Sequence, residues 1–120
     1  MAVTYRFESN VLVIESGARF TTEDLGEMVR AGLVDPACPA KPCLVLDIRE
    51  SQESASAAEI RDRVYRFVEA RDHFGPRMAI VVSDSLHYGL SRMALVYLDA
   101  AGVQARVLRS VDEAIAWAQG

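Results

Sequence analysis

Cysteine is scarce: the 120 residues contain two, Cys38 and Cys43. Their separation by Pro39, Ala40, Lys41 and Pro42 matches neither a redox Cys-x-x-C pair nor a zinc knuckle. A zinc site usually takes about four ligands, and only His73 and His87 could join the cysteines. Two free thiols and no metal are expected. Positive charge is also short, with 13 Lys and Arg against 17 Asp and Glu and a net charge of −4. No field gathers polyphosphate, and nucleic acid is not an expected partner. Long apolar runs are missing too: none reaches the roughly 18 residues that span a bilayer. The first residues alternate polar and apolar instead of pairing a basic stretch with an apolar core. A cytoplasmic location without membrane insertion is therefore expected. No Gly-x-Gly-x-x-Gly or Gly-x-x-x-x-Gly-Lys follows any apolar run, so no nucleotide cofactor is expected.

What is present is 51% hydrophobic and 25% charged sequence, within the range of one globular domain over residues 1–120. Val3–Glu8 alternates with period two, as a strand does at a sheet edge, and Ser9-Asn10 suits a tight turn. Val11–Ile14, Cys43–Leu46 and Met78–Val82 are continuously apolar and read as central strands buried on both faces. Val103–Val107 alternates again and reads as the other edge.

Four helical stretches lie between and after the strands. Thr21 can cap the first, with Phe20 and Leu25 placed as a hydrophobic staple. Ser56 and Glu59 form a capping box for the second, whose stripe is Ile60, Val64, Phe67 and Val68. The third starts near Ser83-Asp84-Ser85 and sets Leu86, Leu90, Met93, Ala94, Tyr97 and Ala101 on one stripe, with Leu95, Val96 and Leu98 off it. Ser110 and Glu113 offer a capping box to the fourth. The order β-β-α-β-α-β-α-β-α predicts an α/β fold with parallel crossovers.

Ligands in open α/β sheets gather at the carboxyl ends of strands. Those ends carry Asp47, Arg49 and Glu50, then Ser83 and Asp84, then Arg109 and Ser110. Tyr88 and Arg92 follow Asp84 at one-turn intervals, spaced for a line of three side chains. Asp47, Ser83, Asp84, Tyr88, Arg92 and Arg109 are the candidate ligand-binding residues. Asp47 has a plainer reading as a carboxylate that receives loop N–H groups, and Arg92 as one half of a weak surface pair. Ser91 lacks the last glycine of a Gly-x-Ser-x-Gly elbow and is expected to face solvent, as is His87. No residue emerges as catalytic.

Two stretches resemble the STAS domains, whose founding members are bacterial anti-sigma-factor antagonists. They are Arg77–Val82 followed by Tyr88-Gly89-Leu90-Ser91-Arg92-Met93, and Val107-Leu108-Arg109-Ser110 followed by Glu113–Trp117. The resemblance is strongest to an uncharacterised bacterial subgroup related to CRAL-TRIO-like lipid-binding domains. It implies one mixed five-stranded sheet with an antiparallel first strand at one edge and the last strand at the other, flanked by four helices. It further implies a regulatory, protein-interaction or ligand-binding role without catalysis. In partner-switching antagonists an Asp-Ser-Ser/Thr-Gly segment at the start of the second helix carries the hydroxyl that a partner kinase phosphorylates, where this chain has Glu53-Ser54-Ala55-Ser56-Ala57. Ser56 stands as a possible phosphoacceptor, with capping as the simpler role.

Three functions are open at this point: a STAS-type protein-interaction module, a carrier or sensor of a small apolar or lipid-like ligand, and an enzyme of unknown reaction. The apolar arc of the third helix is wider than the roughly 100° that packs on one sheet. A homodimer through Leu95 and Val96 is therefore expected.

Overall fold

Val11, Leu12, Val13 and Ile14 are all fully buried, which requires cover on both faces of the strand that carries them. The computed structural model describes residues 2–120 and supplies that cover. The elements are β1 (Val3–Glu8), β2 (Val11–Ser16), α1 (Thr22–Val34), β3 (Cys43–Asp47), α2 (Ala57–Glu69), a 3-10 turn at Arg71–His73, β4 (Arg77–Val81), α3 (Ser85–Ala100), β5 (Gln104–Leu108) and α4 (Val111–Gln119). The strands form one sheet in the order β1-β2-β3-β4-β5. β1 pairs antiparallel with β2 from Val3↔Ser16 to Glu8↔Val11, and every other pair is parallel. Both edges fall where the alternation of Val3–Glu8 and Val103–Val107 placed them.

The hairpin turn puts Ser9 in the left-handed region at φ 54°, a conformation that short polar residues tolerate better than branched ones. Three helices begin at the expected caps. Thr21 and Asp24 close a reciprocal capping box on α1, and Ser56 and Glu59 do so on α2. On α4 only half of the expected box forms: Ser110 Oγ accepts from Glu113 N, while the Glu113 side chain does not reach back. α3 is capped by Asp84, which accepts from His87 N.

The two faces of the sheet are filled differently. Leu12, Ile14, Leu44, Met78 and Ile80 face α1, α2 and α3, whereas Val11, Val13, Val45, Ala79 and Val81 face α4 alone. α4 meets the sheet through Ala114 and Ala118, whose small side chains let it lie close. Trp117 stands at the border of that layer, with the Arg77 and Arg106 guanidinium carbons 5.3 and 5.5 Å from its ring centre. Arg77 Nη1 also donates to the Trp117 carbonyl at 2.7 Å and ties down the end of α4.

α3 is rotated relative to its sequence expectation. His87, Ser91, Ala94 and Leu98 face inward, while Leu86 is 55% and Tyr97 37% exposed. Leu98, expected off the stripe, is 1% exposed, and neither His87 nor Ser91 lies on the surface. The reason is local polarity satisfied locally. His87 Nδ1 lies 2.8 Å from both Asp84 carboxylate oxygens and Nε2 lies 2.7 Å from the Glu53 carbonyl, so its burial leaves no nitrogen without a partner.

Candidate functional site

On the three-helix face the helices are spaced unevenly. α1 packs mainly on β1 and β2, α3 on β5, and α2 on α3. The floor formed by Leu44 and Leu46 of β3 and Met78 and Ile80 of β4 is left under a gap between α1 and α2. The gap is a cavity of about 800 Å³. Leu25 and Val29 of α1, Ile60 and Phe67 of α2, and Leu90 and Ala94 of α3 wall it. It reaches solvent between α1 and α2, since its lining extends to Val34, which is 74% exposed, and to Arg66.

The polar residues of this lining include three arginines, Arg30, Arg63 and Arg66. Arg63 sits at the mouth with its side chain 24% exposed. Its Nε donates to Thr22 Oγ1 at 2.9 Å, and its guanidinium carbon lies 5.4 Å from the centre of the Phe20 ring. Burial pulls the Arg63 pKa down, against the carboxylates of Glu59, Glu53, Asp62 and Glu23, which raise it. An arginine stays charged under such a shift. Arg66 reaches Glu23 at 3.5 Å, so two side-chain links bridge α1 and α2 beside the opening. At the other end the ring of His87 joins α3 to the loop before α2, and Ser51 Oγ accepts from Glu53 N within that loop.

The rim residues expected from the sequence fall into two clusters. Asp47, 2% exposed, is held by Arg49: Nε to Oδ1 and Nη2 to Oδ2, each at 2.9 Å, with Arg49 N also donating to Oδ1 at 3.2 Å. This pairing raises the Arg49 pKa. Ser83 Oγ donates to the Arg49 carbonyl at 2.7 Å. Asp47 and Ser83 thus meet through Arg49, with the Asp47 carboxylate engaged by the loop that follows its strand.

The second cluster is centred on Tyr88. The guanidinium carbons of Arg109 and Arg92 lie 5.3 and 5.9 Å from its ring centre, and Arg92 Nη1 approaches its hydroxyl at 3.4 Å. The expected line from Asp84 through Tyr88 to Arg92 is broken at its start, because the Asp84 carboxylate turns to His87. Leu95 is half-buried and Val96 is 68% exposed; both border a shallow groove of about 380 Å³ with Tyr88, Arg92 and Arg106. Ser56 is exposed, with its hydroxyl oxygen accepting from Glu59 N at 3.1 Å.

Arg63, His87 and Ser91 lie outside the rim set expected from the sequence, yet each carries a signal. Arg63 falls on the apolar stripe of α2, at i+3 from Ile60, and His87 and Ser91 fall at i−7 and i−3 from Ala94. A polar side chain on a buried helical stripe marks a wall that faces something other than packed hydrocarbon. Among the described residues no group of three or more His, Cys, Asp or Glu could hold a metal ion. Among them, too, no helix is long and apolar enough to cross a membrane.

No family model matches the chain, and no curated protein does. A solved structure does: an uncharacterised protein of the DUF3478 family with a SpoIIAA-like fold, from Shewanella loihica PV-4. The TM-score is 0.64 at 16% identity, with 98% of this chain and 92% of that one covered. The likeness shows the fold: this chain has a SpoIIAA-like, STAS-like architecture, with a mixed five-stranded sheet and four helices.

Proposed function

We propose that this chain is a non-enzymatic STAS-type module whose working site is the cavity beneath α1, α2 and α3, where it binds a small apolar or lipid-like molecule. The supporting observation is the cavity itself: about 800 Å³ of mainly hydrocarbon-lined space, open to solvent between two helices. Ligand sites commonly occupy roughly 300–1,000 Å³. A packed core leaves few voids larger than a water molecule. The resemblance to lipid-binding relatives read from the sequence points the same way. Two unpaired thiols, Cys38 and Cys43, fit a reducing, cytoplasmic setting.

The test is a homologous series of straight-chain alcohols titrated by calorimetry. Each added methylene should tighten binding about fourfold until the cavity is filled, following about 0.8 kcal/mol per buried methylene. Ala94→Phe, which places a ring in the cavity, should abolish that dependence while leaving a cooperative melt. A series in which no member binds or shifts the melt overturns the proposal.

Protein interaction is a second reading, favoured by the apolar groups that α3 leaves in solvent: Leu86 at 55%, Val96 at 68% and Tyr97 at 37% exposure. A second copy of the chain would cover Leu95 and Val96 through an isologous contact. Light scattering at tens of micromolar, on the order of a signalling-strength affinity, should give a dimer mass, and replacing Leu95 and Val96 together with Glu should give a folded monomer. A wild-type monomer at that concentration refutes this reading.

A further inference from the structure

We propose that the cavity takes an amphiphile bearing a single carboxylate, with the head at Arg63 and the chain directed inward over Leu44, Leu46 and Ile80. This rests on the cavity reading above and names its ligand class. Arg63 occupies a position on the apolar face of α2 where a hydrocarbon side chain would complete the stripe. A guanidinium there gives up part of its hydration and needs partners in return.

The chain supplies only part of them. Nε is taken by the neutral hydroxyl of Thr22. The carboxylate oxygen paired with it, Glu59 Oε2, stands 4.0 Å from Nη2, beyond hydrogen-bond reach. The other oxygen of Glu59 is committed to the α2 cap, accepting from Ser56 N at 3.2 Å. Among the described residues neither Nη1 nor Nη2 of Arg63 donates a hydrogen bond. Two adjacent Nη groups on a plane held by Thr22 and the Phe20 ring form a fork that matches one carboxylate in bidentate fashion.

The surroundings narrow the choice of head. Glu59, Glu53, Asp62 and Glu23 all act on Arg63, so a dianionic phosphate would meet repulsion that a monoanion meets at half strength. Asp62 and Glu23 are themselves engaged by Arg66, at 3.1 and 3.5 Å, which moderates their share. Arg63 lies at the mouth and the hydrocarbon floor lies within. An amphiphile therefore enters tail first and stops when its head reaches Arg63.

The experiment compares decanoate with decan-1-ol by calorimetry on the wild-type chain, Arg63→Gln and Arg63→Lys. The wild type should prefer decanoate on the order of tenfold, as expected for charge-assisted hydrogen bonds at a partly exposed site. Arg63→Gln should weaken decanoate binding far more than decan-1-ol binding and so remove the preference; Arg63→Lys, which keeps the charge without the fork, should retain part of it. Equal wild-type affinities for acid and alcohol overturn the carboxylate assignment and leave the cavity reading standing. Binding of neither overturns both. The wild-type comparison needs no variant to fold, and matching melting curves qualify the variants.

Discussion

Leu98→Ala should lower the unfolding free energy by about 3 kcal/mol, within the range for truncating a fully buried leucine, whereas Val96→Ala should change it by less than about 0.5 kcal/mol. The two residues are neighbours on α3, and their exposures of 1% and 68% make the comparison a direct test of the helix rotation. Leu98 fills the junction of α3 with the sheet and borders the cavity. The space left by its truncation therefore merges with a void that its neighbours already fail to close. Denaturant titration of both variants measures the difference. A larger loss for Val96→Ala than for Leu98→Ala would place the wrong face of α3 against the sheet.

The second large effect is expected at His87. Its two nitrogens face only acceptors: the Asp84 carboxylate on one side and the Glu53 carbonyl on the other. Both bonds form only when each nitrogen carries a proton, because neutral imidazole has a single N–H. His87→Ala should cost about 2 kcal/mol, the scale of hydrogen bonds to a charged group. The cost should depend on pH. Asp84 is held below the usual carboxylate range, first by the His87 backbone N–H and then by the ring. A lowered native pKa means that the unfolded chain protonates first as pH falls. The Asp84 contribution is thus complete above the ordinary aspartate value and disappears as pH drops through the lower native one. The ring's share of this contribution is absent in His87→Ala, so the difference between wild type and variant should shrink as pH falls through the lowered native value of Asp84. A pH-independent difference would mean that the ring acts as packing alone.

The strands were legible because Val11–Ile14, Cys43–Leu46 and Met78–Val82 are continuous apolar runs too short for a buried helix. The starts of α1, α2 and α4 were legible because Thr21, Ser56 and Ser110 present a hydroxyl oxygen to a backbone N–H three residues on. The facing of α3 was not. Its apolar residues surround most of the helix, so hydrophobicity alone cannot choose among neighbouring stripes, and the true stripe contains a histidine and a serine. Their partners, Asp84 and the Glu53 carbonyl, come together only in three dimensions. Of the rim residues, Asp47 and Ser83 share Arg49, and Tyr88, Arg92 and Arg109 cluster, yet none of these lines the large cavity. A void follows from how far apart helices stand, and no residue type encodes that distance.

The position of Trp117 has an optical consequence. It is the chain's one tryptophan, it packs with α4 on the far side of the sheet from the cavity, and it lies close to two guanidinium groups. Its emission reports the docking of α4 and the polarity around Arg77 and Arg106. Intrinsic fluorescence will therefore follow global unfolding faithfully and stay dark to a molecule entering between α1 and α2. A reporter for that event has to be installed on the other face, where Phe67 and Phe74 already form an aromatic pair with ring centres 5.0 Å apart, and where a tryptophan in place of Phe67 would lie in the cavity wall.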